Sequence, residues 1–209
     1  MITKALNKEG QSALTPNAVL QDLMAGNERF INDTMEERGY QEQRKDTIGG
    51  QFPKAVVLSC IDSRVPIETI FDQGIGDVFV ARVAGNFENV DVLGSLEYSC
   101  KAAGSKLVLV LGHESCGAVS AACDGVEMGN ITSMLANIMP AVKLTSQQIE
   151  GGATSSNKEF VAAAVANNVK LTVDRIREKS AILKEMEDAG DIMIAGGVYS
   201  LSSGKVELL

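Results

Sequence analysis

Short apolar runs at residues 54–59, 77–82 and 106–111 are each followed by a stretch of helical periodicity, at 66–72, 89–103 and 116–124. This repetition leaves few folds open, because successive strands must run parallel, joined by crossover helices that cover the faces of one sheet. Residues 131–149 read as a further helix interrupted by Pro140. Residues 158–189 read as a long amphipathic helix or a pair of them, striped by Val161, Val165, Val169, Val173, Ile176 and Leu183 and stopped by Gly190. Two runs, 192–199 and 206–208, are expected to close the sheet as edge strands around the turn SSGK. Ahead of the first strand, Thr15 and Pro16 read as the N-cap and first residue of a helix running toward Phe30. The polar stretch 33–50 reads as loop with a short helix. The expectation is one α/β domain over 1–209: an N-terminal helical arm, 1–50, and a core, 51–209, built on a mainly parallel central sheet with flanking helices.

Composition narrows the function classes. With 45% hydrophobic and 22% charged residues, the chain can bury an ordinary globular core, which excludes disordered and collagen-like classes. A net charge of −8 argues against nucleic acid and anionic membranes as partners. The first residues lack the apolar core of a secretory signal, so a cytoplasmic location is expected. The glycine-containing segments GIGDVF and AGGVYSLSSG match neither a dinucleotide nor a P-loop pattern, and turns account for them.

The strand ends carry the chemistry. His113, the one histidine of the chain, lies in GHESCG three residues before Cys116, just past the apolar run at 106–111. Cys60 follows the run at 54–59 and opens CIDSR, which contains Asp62 and Arg64. Taken singly, a cysteine or a histidine is more often a packed core residue than a ligand. Here all three soft donors follow strands at their carboxyl ends, the edge at which open α/β sheets bind ligands. Two sulfurs and one imidazole suit Zn²⁺, and three protein donors would leave the fourth tetrahedral position for water. Cys100 and Cys123 are read as core residues, not as disulfide partners.

CIDSRVP, ARVAGN, GSLEYS and GHESCGAV, in that order and spacing, resemble the β-class carbonic anhydrases, with GNERF at 26–30 and NVKLTVDRIREKSAILKE at 168–185 agreeing. The resemblance runs from about Thr15 to the end. Ile61, the VAGN segment and Ala118 depart from the usual pattern, and none of them removes a donor. The resemblance implies a zinc enzyme that reversibly hydrates CO₂ to bicarbonate and a proton, with Cys60, His113 and Cys116 as ligands. It further implies a homodimer or dimer of dimers, with the arm lying on a neighbouring subunit. Gln51, Phe79 and Tyr98 match substrate-pocket positions of the plant-like branch, Gly117 offers a backbone N–H there, and Arg82 reads as structural at a subunit boundary. The Trp of the other branch's inhibitory bicarbonate site has no counterpart, since the chain contains no tryptophan.

Asp62 admits two roles, a fourth ligand in a closed state or a hydrogen-bond acceptor beside the metal. A bidentate pair with Arg64 favours the second. Three other functions stay open at this point: hydrolysis of carbon disulfide or carbonyl sulfide on the same fold, a non-catalytic zinc-stabilised protein, and a thiol enzyme. The last is weakened because Arg64 is only four residues from Cys60, too close for a cysteine phosphatase loop.

Overall fold

The computed structural model describes residues 1–209 and contains a five-stranded sheet of order β2-β1-β3-β4-β5. The strands are β1 (Ala55–Ser59), β2 (Val78–Arg82), β3 (Leu107–His113), β4 (Met193–Tyr199) and β5 (Val206–Leu208). The first four are parallel and β5 is antiparallel to β4. One expectation is corrected here: β4 is an interior strand, and the edges are β2 and β5. The long crossover through residues 117–188 lets β4 dock on β3, a pairing that local sequence does not encode.

β1 and β3 are buried on both faces and read as unbroken apolar runs, as parallel strands covered on both sides must. Alternation still sorts the side chains. Ala55, Val57, Leu107, Leu109 and Leu111 pack with Val19 and Leu23 of α2 (Pro16–Ile31) and with Ile67 and Ile70 of α4 (Ile67–Ile70). Val56, Leu58, Val108 and Val110 face Val169, Val173 and Ile176 of α9 (Lys158–Lys179), together with Leu183 of α10 (Ala181–Asp188). The long helical pattern therefore resolves as two helices, divided at Ser180, whose hydroxyl caps α10. Residues 131–149 likewise split into α7 (Gly129–Leu135) and α8 (Met139–Thr145), with Pro140 tolerated in the first turn of α8. The expected helix over 89–103 is α5 (Val90–Glu97) followed by a π-helical turn, Tyr98–Ala102. No helix is long and apolar enough to cross a membrane.

Within one chain the arm is not free. It holds α1 (Lys8–Ala13), α2 and α3 (Tyr40–Asp46), and α2 lays Val19 and Leu23 onto the chain's own sheet. Thr15 caps α2 and Pro16 opens it, as the sequence reading expects. Gly26 is required where α2 crosses α4, because a Cβ there would sit 1.9 Å from the Phe71 carbonyl oxygen. The junction is tied by Asp72, whose fully buried carboxylate meets Arg29 at 2.5 Å and Arg38 at 3.1 Å and accepts the Glu36 N–H.

Burial alone would raise the Asp72 pKa, but the two guanidiniums and the Glu36 N–H outweigh it and hold the carboxyl below its ordinary value of about 3.9. A depressed folded-state pKa stabilises the fold above the unfolded value, and that contribution is lost as pH falls through the folded value. Asp72→Asn is expected to cost about 3–5 kcal/mol at pH 7, since it leaves two cations facing a neutral amide. The difference from the unaltered protein should shrink below about pH 4. Thermal unfolding of both proteins at pH 7 and pH 3 checks this.

Candidate metal centre

Strand register builds the site. β1 and β3 pair through Ser59 and Leu111, so Cys60, the residue after β1, lies beside the last two residues of β3. β3 runs on to His113, paired with Tyr199 of β4, which places the imidazole inside the sheet margin and fully buried. Ser115 then adopts φ 54, a left-handed conformation uncommon for a non-glycine residue, and the chain doubles back so that Cys116 returns as the N-cap of α6 (Gly117–Cys123). The Cys60 and Cys116 sulfurs and an imidazole nitrogen of His113 all lie within 4.8 Å of one another. All four cysteines are free and buried. Burial pushes the Cys100 thiol up to about 12, as suits a packing residue.

The donor set fits a divalent cation. His113 Nδ1 faces the Glu114 carbonyl oxygen at 2.9 Å. A carbonyl only accepts, so Nδ1 carries the proton and Nε2 presents its lone pair to the cluster. That Nε2 is buried with no hydrogen-bond partner, an expensive orphan unless something coordinates it. The Cys116 thiol pulls the Cys60 thiol down, with burial opposing and the Gly85 N–H, 3.4 Å away, reinforcing. The charge on Cys60, together with burial, then pushes Cys116 up. Two neighbouring buried thiols hold only one negative charge easily. A dication at their centre removes that conflict and lets both ionise.

Around this cluster, Asp62 turns to Arg64. Its Oδ1 accepts from Arg64 Nε at 2.9 Å and from the Arg64 backbone N–H at 2.9 Å, while Oδ2 accepts from Nη2 at 2.7 Å. Those bonds outweigh burial and hold the carboxyl well below the usual carboxylate range. Its Oδ2 nevertheless remains 3.8 Å from His113 Nε2, beside the donor cluster. Arg82, read from sequence as a boundary residue, has a nearer task. It reaches from the end of β2 to donate to the carbonyls of Cys60 and Asp62, fixing the backbone that presents both.

The remaining expected pocket residues are not gathered at this point within one chain. Gln51 lies four residues ahead of β1 and Cys60 directly follows it, so a five-residue strand separates the two. Phe79 pairs with Val56, low on β2, and meets Tyr98 edge-to-face with ring centroids 6.2 Å apart. Both line a 630 Å³ groove along the β2 edge, together with Val90 and Ser95, and none of the three donors lines it. Gly117 is at the start of α6, where helix geometry leaves its N–H without an intrahelical acceptor.

The carbonic anhydrase family pattern matches residues 55–206, from the start of β1 to β5 and across every donor. The chain belongs to the β-carbonic anhydrase family. It is 35% identical over 199 residues to carbonic anhydrase 2 of Mycobacterium tuberculosis, covering 92% of each chain. Identity to a carbonic anhydrase of Mycolicibacterium smegmatis is also 35%, over 92% of this chain and 93% of that one. In fold it is similar to a tetrameric β-carbonic anhydrase of Sordaria macrospora, with TM-score 0.72 and 22% identity over 92% of this chain and 94% of the other.

Proposed function

We propose that this β-carbonic anhydrase family member is a zinc enzyme that reversibly hydrates CO₂ to bicarbonate and a proton, using Cys60, His113 and Cys116 as metal ligands. The observation that carries this is the buried Cys60–His113–Cys116 cluster with an unpartnered imidazole nitrogen, beside a carboxylate already committed to an arginine. When bound, zinc would lower the pKa of water toward neutrality and supply hydroxide as a nucleophile. Two thiolates donate more charge than neutral imidazoles, so this acidification would be weaker than at a three-histidine site and activity would rise toward alkaline pH. The chain's own groups do the rest. Arg64 holds Asp62 by two side-chain bonds, and with a metal bound the remaining acceptor capacity of Asp62 Oδ2 would take a hydrogen bond from the nucleophile and so orient it. A stopped-flow assay of the zinc-loaded protein with CO₂, carbonyl sulfide and carbon disulfide tests the assignment. Turnover of CO₂ alone is the expected result; turnover of a sulfur substrate without CO₂ hydration would overturn it.

We further propose that the working unit is at least a homodimer joined through β2. An edge strand with open backbone groups is a template for pairing, and this one carries an apolar margin. Val90 is 80% exposed and Tyr98 59%, and both line the groove beside β2. Gln51, Phe79 and Tyr98 stand too far from their own chain's donors to contact substrate there. Only a neighbouring copy brings such residues to a metal centre. Val90→Glu puts a charge into the groove without touching the core. It is expected to weaken association on the order of 10²-fold or more, the cost of burying an unpaired charge. Sedimentation velocity should then show monomer, with CO₂ hydration falling in step.

A further inference from the structure

The turn after β2 reaches the metal centre, and what holds the turn lies on α9. Asn86 N–H donates to the Val83 carbonyl at 2.9 Å across a four-residue turn whose third residue, Gly85, has φ 85. A positive φ at that position is the mark of a type II turn and calls for glycine. A Cβ on Gly85 would also displace the end of the Ile138 side chain, whose Cδ1 would lie 2.4 Å away. In this turn the Gly85 N–H is directed at Cys60 Sγ, 3.4 Å away. The other end of the residue is anchored: Asn168 Nδ2 donates to the Gly85 carbonyl at 2.8 Å.

Asn168 is 1% exposed, in the middle of α9, where the helix otherwise lays Val165, Val169 and Val173 against the core. Asparagine is a poor choice for a helix interior. Its Oδ1, moreover, is buried without a partner. The amide cannot be turned around, since a carbonyl accepts only from Nδ2. One bond to Gly85 is therefore all that this buried side chain makes. A residue costly to the fold and bonded only to the peptide that faces a metal-ligand sulfur is placed for the site.

We infer that Asn168 is a positioning residue of the metal centre, which clamps Gly85 so that its N–H donates to the Cys60 thiolate and sets the charge that sulfur offers the metal. The inference rests on Cys60 being a metal ligand. Outer-shell partners of this kind change metal affinity by 10- to 100-fold when removed, about the scale expected here. Asn168→Leu keeps the shape and deletes the donor. Asn167→Leu is the control, because Asn167 is also buried but bonds Thr145 and Gln148, away from the site.

Zinc affinity by chelator competition should fall about tenfold or more in Asn168→Leu and stay within about twofold in Asn167→Leu. In the cobalt-substituted proteins the thiolate-to-cobalt charge-transfer band should move to longer wavelength only in Asn168→Leu, because a sulfur without its hydrogen bond gives up electrons more easily. Equal losses in both variants, or an unmoved band in Asn168→Leu, overturn the inference. A second measurement needs no variant. In the unaltered protein loaded with cadmium-113, the Gly85 amide proton should show scalar coupling to the metal through the N–H···S bond. Failure of cadmium to bind would refute the metal centre itself. Stoichiometric cadmium without coupling at Gly85 would refute only the role of this clamp.

Discussion

His113→Ala is expected to remove zinc and CO₂ hydration together. The imidazole is the sole nitrogen donor of the cluster, and there is no second histidine to replace it. The substitution leaves two thiols that resist joint ionisation, one held down by the other's proton and the second pushed up by the first's charge. A two-sulfur remnant binds divalent metal far more weakly than three donors do. Hydration should fall to the uncatalysed rate and metal analysis should find far less than one zinc per chain. Because His113 is buried at the margin of β3, where Nδ1 also holds the Glu114 carbonyl, thermal unfolding should be followed in parallel to show that the variant is folded. A folded variant that keeps stoichiometric zinc would remove His113 from the ligand set.

Arg64→Ala is expected to give the opposite pattern, with zinc retained and activity reduced. The guanidinium gives Asp62 two of its three hydrogen bonds, and only the backbone N–H of residue 64 remains without it. A freed carboxylate, with Oδ2 already 3.8 Å from His113 Nε2, can turn to the metal and take the position that water needs. The expected loss of CO₂ hydration is about 10- to 100-fold, with zinc content unchanged or higher. Arg64 is half exposed, so its removal should leave thermal stability nearly as it was. Parallel metal analysis and stopped-flow assay separate this outcome from a merely structural role, in which zinc and activity would fall together.

Local pattern carried much of this account. Apolar runs at 54–59 and 106–111 mark β1 and β3 because both strands are covered on two faces, and the residues just past them are the ones the sheet brings together. What local pattern could not carry was everything decided by remote packing. The interior position of β4 depends on a crossover of some seventy residues. The π-helical turn at Tyr98 has no signature in hydrophobic periodicity. Arg82 looked like any strand-end cation, because its targets are backbone carbonyls twenty and more residues away. A signal did exist for Asn168: two consecutive asparagines within a long apolar helical pattern break a local rule, and such breaks tend to mark functional positions. Gln51 and Phe79 illustrate a different limit, since spacing along the chain does not show which residues the folded chain brings beside the donors.

The central claim is that one zinc on Cys60, His113 and Cys116 runs CO₂ hydration. Stripping the protein of metal and titrating zinc back, while following hydration by stopped flow, tests it most directly. Activity should be absent from the apoprotein and rise in proportion to added zinc, reaching a plateau at about one equivalent per chain, as a catalytic site of three protein donors requires. Hydration by the metal-free protein, or a chain filled with zinc that leaves CO₂ unhydrated, would contradict the account.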